Sequence, residues 1–169
     1  MNSRIAPQLA ALVGTVALIW PVACQAGSYM IVGLHSDVMD FMEASSIKHE
    51  GIIAKVWLLI VRRSATPRAG ATFDYSLDQL EINCSSNQIA ISTSTTYTMP
   101  YGDSVDSFKD QDTWSDIVPS SVEDIVREQS CRTAPPPAAN LINGDPLTLV
   151  KIARSHWTAL LAASVAPAP

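Results

Sequence analysis

Along this chain the spacing of apolar residues changes from unbroken run to alternation to helical stripe, and each change predicts an element. Leu9 to Trp20 (LAALVGTVALIW) is a mostly apolar run that follows Arg4 and stops at Pro21. Ser28 to Ser36 and Asp37 to Met42 have the content of short strands. Ile52 to Arg63 (IIAKVWLLIVRR) is the strongest strand, with Val56, Leu58 and Ile60 on one face and Trp57, Leu59 and Val61 on the other. Apolar residues on both faces predict a central strand covered on each side, by a helix or by a partner subunit. Ser64 to Ala71 carries Pro and Gly and predicts a loop.

A hairpin follows. Leu80, Ile82 and Cys84 alternate with Gln79, Glu81 and Asn83, the Ser85 to Gln88 segment turns the chain, and Ile89 to Thr98 returns. Simple alternation puts Ile89, Ile91, Thr93, Thr95 and Tyr97 on one side of the return strand. Pro100 to Asp112 is polar and acidic and predicts a loop. Ser120 and Glu123 form a capping box for a helix to about Gln129, burying Val122, Ile125 and Val126. Thr133 to Asn143 is a Pro/Ala linker. Asp145 then caps, and Pro146 opens, a second helix to about Ala163. Its stripe is Val150, Ala153, Trp157, Leu160 and Leu161, with Lys151, Arg154, Ser155 and Thr158 opposite. The tail Val165 to Pro169 is expected to be disordered.

Composition locates these elements in the cell. The 169 residues suit one globular domain with some to spare, and a 47% hydrophobic share excludes a disordered or collagen-like chain. Only 16% of residues are charged and the net charge is −5, which points away from nucleic acid. Arg4, the apolar run and Cys24-Gln25-Ala26 read as a secretory signal cleaved before Gly27. The run is short for a transmembrane helix. Two alternatives stay open: an uncleaved anchor, and a lipoprotein with a lipid on Cys24. Cleavage divides the chain into a signal (1–26), a domain (27–132) and a linker with a helical extension (133–169). Charge divides too: residues 27–131 carry 7 basic and 15 acidic residues, net −8, and residues 132–169 carry 3 and 1, net +2. The extension is therefore suited to dock on the acidic core, in its own chain or a neighbour's.

Candidate chemistry is sparse. Loss of Cys24 leaves Cys84 and Cys131, the arithmetic of one disulfide in an oxidising compartment, worth about 4 kcal/mol on the chain-entropy view. The competing reading, a reactive or metal-binding thiol pair, has no CxxC spacing and no nearby histidine behind it. His35, His49 and His156 lack ligand spacing, and no GxSxG, Walker A or GxGxxG motif is present. Asp103, Asp106, Asp110, Asp112 and Asp116 invite a calcium reading, but their spacing matches no EF-hand, and a solvated acidic loop is the plainer account. The second helix has an apolar stripe that suits the sheet, a second subunit or, with only two cations, a membrane surface. No catalytic residue, metal or cofactor is expected.

The landmarks form a set: a Lys55-Val56-Trp57 strand, Leu80-Glu81-Ile82-Asn83-Cys84, a Thr96-Tyr97 strand, then Trp114 to Ser121 (WSDIVPSS) and a helix ending at Cys131. This set resembles the surface-adhesin protein E family of Gram-negative bacteria over about residues 28 to 132. The resemblance implies an α+β fold, an antiparallel β-sheet with a helix disulfide-linked to it through Cys84 and Cys131. It also implies a tendency to form a homodimer and an envelope location, periplasmic or on the outer-membrane surface. The founding adhesin is associated with binding vitronectin and laminin, which makes an extracellular or envelope protein the expected partner. Such binding is associated with exposed basic residues, and Arg62, Arg63 and Arg68 are the only compact basic group here. The leading expectation is a non-enzymatic adhesin-like envelope protein. The alternative is a periplasmic structural or envelope-maintenance protein with no host ligand.

Overall fold

A computed structural model describes residues 26–68, 71–109 and 113–165. The signal segment up to Cys24, Asp110, Asp112 and the end of the VAPAP tail lie outside the described residues. Strands β1 (Gly27–Leu34), β2 (Val38–Glu50), β3 (Ile53–Arg68), β4 (Ala71–Asn83), β5 (Gln88–Tyr97), β6 (Ser104–Phe108), β7 (Ser115–Asp116) and β8 (Ile142–Gly144) form one antiparallel sheet. Its order is β6-β5-β4-β3-β2-β1-β8, with β7 also on β5. Helix α1 (Val122–Ser130) packs on one face and α2 (Pro146–Val165) on the other.

The two-faced apolar pattern of β3 decides this layout. Val56 and Leu58 join Met42, Leu80, Ile82, Ile89 and Val126 in the core under α1. Leu59 and Val61 join Phe41, Tyr75, Leu149 and Trp157 in the core under α2. Each core is sealed by one helix of the same chain. Among the described residues no helix is long and apolar enough to cross a membrane.

Several elements differ from their sequence expectation. Of the expected Ser64 to Ala71 loop, residues 64–68 and Ala71 belong to strands, with Thr66 opposite Phe73 and Pro67 opposite Thr72, and residues 69 and 70 lie outside the described residues. Strand β2 ends at Val38, opposite Arg62, so this part of β3 pairs only with β4 and a proline there costs no second ladder bond. Strand β2 itself runs on to Glu50, past an irregularity between Glu43 and Lys48, where the Ser46 hydroxyl accepts from the Trp57 amide at 2.9 Å. Within the expected Pro100 to Asp112 loop, residues 104–108 form a short edge strand.

The return strand of the hairpin carries a bulge. Leu80 pairs with Ile91 and Gln79 with Thr93, which leaves Ser92 as an extra residue. An extra residue inverts the alternation. Ile89 and Ile91 therefore face α1, and Thr95 and Tyr97 the opposite side, where simple alternation predicts all of them together. Buried Ser94 and Thr96 take the α1-facing positions beyond the bulge.

Helix α1 starts one residue later than its capping signal suggests. Ser120 has φ of 65°, a left-handed conformation unsuited to an N-cap. Ser121 caps instead: its hydroxyl accepts from the Asp124 amide at 3.2 Å, and the Asp124 carboxylate accepts from the Ser120 amide at 2.9 Å. Val126 is fully buried, whereas Ile125 is exposed. Cys131 is the C-cap of α1 and is bonded to Cys84, the residue after β4, with a Cα–Cα separation of 5.7 Å.

The Pro/Ala stretch is less of a linker than its composition suggests. Pro136 is buried, and Ile142 to Gly144 pair with Tyr29 to Gly27, covering what would otherwise be the β1 edge. Asp145 then caps α2 by accepting from the Thr148 amide at 2.9 Å. Leu149, Val150, Ala153 and Trp157 are buried against the sheet, while Leu160 and Leu161 stay exposed. Arg154 is less exposed than its place opposite the apolar stripe implied. It is half-buried and hydrogen-bonded to buried Asp74 on β4, a contact that joins the basic extension to the acidic core.

Candidate functional site

A concavity with an apolar floor lies on the α1 face. It is a cavity of about 460 Å³ between β3–β5 and the segment from Thr113 into α1. Strand alternation supplies an apolar floor of Leu58, Ile60, Leu80 and Ile89, and Ile117 and Val118 come from the segment above it. That segment is held by short-range geometry. The Ile117 amide donates to the Asn87 carbonyl at 3.0 Å, and the Gln88 side-chain amide donates to Asp116 at 3.1 Å. Asn87 adopts φ of 58° in the hairpin turn, so the turn and the roof are built together.

Three carboxylates line the same space: Asp78 from the floor, and Asp116 and Glu123 from the rim. Asp78 is buried and accepts from the Ser94 hydroxyl at 2.6 Å, a bond the β5 bulge makes available by turning Ser94 inward. No lysine, arginine or histidine is among the described residues lining the cavity. Beside it, Asp40 is buried on β2 beneath the start of α1. Burial pushes its carboxyl up to about 6; Glu123 and Asp78 push the same way, against the pull of His35 and Arg62. Gly33 gives this corner its closeness, because a Cβ there would meet the Asp40 side chain and lie 2.9 Å from Val122 Cγ2.

Two of the hollows on the opposite face bear on residues singled out above. One, of about 410 Å³, is lined by Arg63, Ser64, Asp74, Arg154 and Thr158, where the Asp74–Arg154 pair neutralises much of the charge. The other is a shallow hollow of about 230 Å³ at Trp57, Leu77, Thr95 and Tyr97, beyond the N-terminus of α2. Trp57 is half-buried there, and Tyr97 stacks on Tyr75 at 5.0 Å between ring centroids.

The residues singled out from sequence are distributed as follows. Cys84 and Cys131 are brought together as the disulfide. Asp103, Asp106 and Asp116 are separated: Asp106 is on β6, Asp116 on β7 and Asp103 in the preceding turn. No cluster of three or more metal-ligating side chains occurs among the described residues. Two members of the basic group have contacts of their own. Arg62 stacks over Phe73 at 5.1 Å and Arg63 reaches the Ser36 carbonyl at 3.4 Å. Sequence reading passed over Asp40 and Asp78. The available signal was their alternation with Met42 on β2 and with Leu80 and Ile82 on β4, which places both acids on a core-facing side.

The fold and this cavity define a class: a single-sheet α+β domain with one helix on each face, a disulfide at the end of α1 and an acid-rimmed apolar recess. The chain belongs to the surface-adhesin protein E family, whose family model matches residues 29–132, from β1 through α1 and its disulfide. Comparison with curated proteins and with solved structures gave no match. Strand β8 and helix α2 lie outside the matched range.

Proposed function

We propose that this chain is an exported, non-enzymatic envelope protein of adhesin type that binds a protein or surface ligand. Family membership over residues 29–132 is the observation that carries the reading. The N-terminal Arg4, apolar run and Cys24-Gln25-Ala26 pattern supports export, with residues 1–26 as the removable signal. The 7 basic and 15 acidic residues of positions 27–131 favour a basic partner and an attraction that weakens as salt screens it.

Immobilised matrix proteins titrated with the purified chain test the reading. Saturable binding that weakens with added salt is the expected result. Absence of saturable binding at both low and physiological salt overturns host adhesion. Protease added to intact cells reports the leaflet: digestion places the domain on the outer surface, and protection leaves a periplasmic structural role as the reading that stands.

A further inference from the structure

We propose that the hollow at Trp57, beside the N-terminus of α2, receives an arginine side chain of a basic protein partner. The inference deepens the binding reading above and rests on it for the occupant being part of a protein. Strand register assembles the site. Tyr29 lies opposite Glu43, and Glu43 opposite Trp57, so a carboxylate stands on one row of the sheet between buried Tyr29 and half-buried Trp57. Side chains directly opposite one another are about 5 Å apart at Cβ. Tyr97 lines the same hollow, its ring fixed by stacking on Tyr75, and Pro146 of α2 stands on one side. Helix α2 seals the neighbouring core and leaves this aromatic corner open.

The chemistry of the lining selects the occupant. Glu43 is its charged residue, and no lysine, arginine or histidine is among the described lining residues. The Glu43 carboxylate accepts from the Ser45 hydroxyl at 3.3 Å, which leaves acceptor positions open, and it has no ion pair among the described residues. Lys55, two positions along β3 from Trp57, is held by Glu50 at 2.9 Å and Glu81 at 3.4 Å. Aromatic faces attract a cation, and a planar guanidinium stacks on a ring while its N–H edge meets a carboxylate. At about 230 Å³ the hollow is smaller than the usual small-molecule site, which favours a side chain carried by a larger partner. The net −8 of residues 27–131 draws basic surfaces towards it.

The test titrates the purified chain with three capped tripeptides, carrying arginine, lysine or uncharged citrulline between two glycines, and follows amide and indole signals by NMR. The expected result is saturable arginine-peptide binding, about fivefold or more tighter than citrulline, with shifts centred on Glu43, Trp57 and Tyr97. Glu43→Gln and Trp57→Leu are each expected to weaken the arginine peptide by about threefold to fivefold, and Glu43→Gln to leave citrulline unchanged. Equal affinity for the arginine and citrulline peptides overturns the proposal, as do shifts that map elsewhere or an absence of saturation. A lysine peptide that binds as tightly as arginine overturns the choice of a guanidinium. If Trp57→Leu fails to fold, Glu43→Gln decides: unchanged arginine affinity there overturns the proposal. The two readings fail separately. Arginine-peptide binding without matrix-protein binding removes host adhesion alone, and matrix-protein binding undiminished in both variants removes this inference alone.

Discussion

Asp40 illustrates how a single residue ties the cavity corner to stability. Burial raises its carboxyl from 3.8 to about 6, so between these values the folded protein holds a proton that the unfolded chain has released. Stability contributed by this group is therefore present at low pH and lost as pH rises through that window. At ~1.4 kcal/mol per pKa unit the loss is on the order of 1–3 kcal/mol. Asp40→Asn is expected to flatten this part of the profile and to be more stable than the parent at pH 7. Urea midpoints measured from pH 4 to 7 check it; an unchanged slope in the variant would remove Asp40 as the cause. Ser121 offers a second residue-scale test. As the N-cap of α1, its replacement by Ala is expected to cost about 1 kcal/mol, whereas Ser120→Ala, at a position without the cap bond, should cost less.

At the scale of elements, the disulfide and the two helices divide the work. The Cys84–Cys131 bond joins the end of β4 to the end of α1 across 47 positions. Cys84→Ala is expected to lower unfolding free energy by about 2–5 kcal/mol, read from urea melts under oxidising conditions. Trp57 and Trp157 separate packing from mere apolarity. Trp157 is 3% exposed between α2 and the sheet, and Trp157→Ala is expected to cost about 3–5 kcal/mol. Trp57 is only half-buried in an open hollow, so Trp57→Ala should cost clearly less in the same melts. Periodicity alone makes the central strand, the hairpin and both helices legible in the sequence. It did not reveal the Ser92 bulge, because one inserted residue leaves composition untouched while inverting every later side chain. It also misjudged Pro67, which reads as a breaker until β2 is seen to end before reaching it.

For the whole molecule, residues beyond the family match complete the fold. Helix α2 covers Phe41, Leu59, Val61 and Tyr75, and β8 closes the β1 edge. A chain ended at Arg132 is expected to expose that core, bind a hydrophobic dye and lose its cooperative melt. A sharp, unchanged transition would instead make the extension dispensable. The amino-acid pattern by itself determined the fold class, the candidate disulfide, the family and the split between acidic core and basic extension. The fold class, the disulfide and the charge split follow from alternation, composition and residue counts, which are local properties of a chain, and the family from the resemblance of its landmark residues, Trp57 to Cys131, to a known set. Tertiary structure alone decided that α2 seals its own sheet, that Arg154 meets Asp74, and that Asp78, Asp116 and Glu123 share one apolar cavity. Those outcomes depend on register and on which face each strand turns inward, and Asp74 and Arg154, 80 positions apart, meet only when the whole sheet has formed.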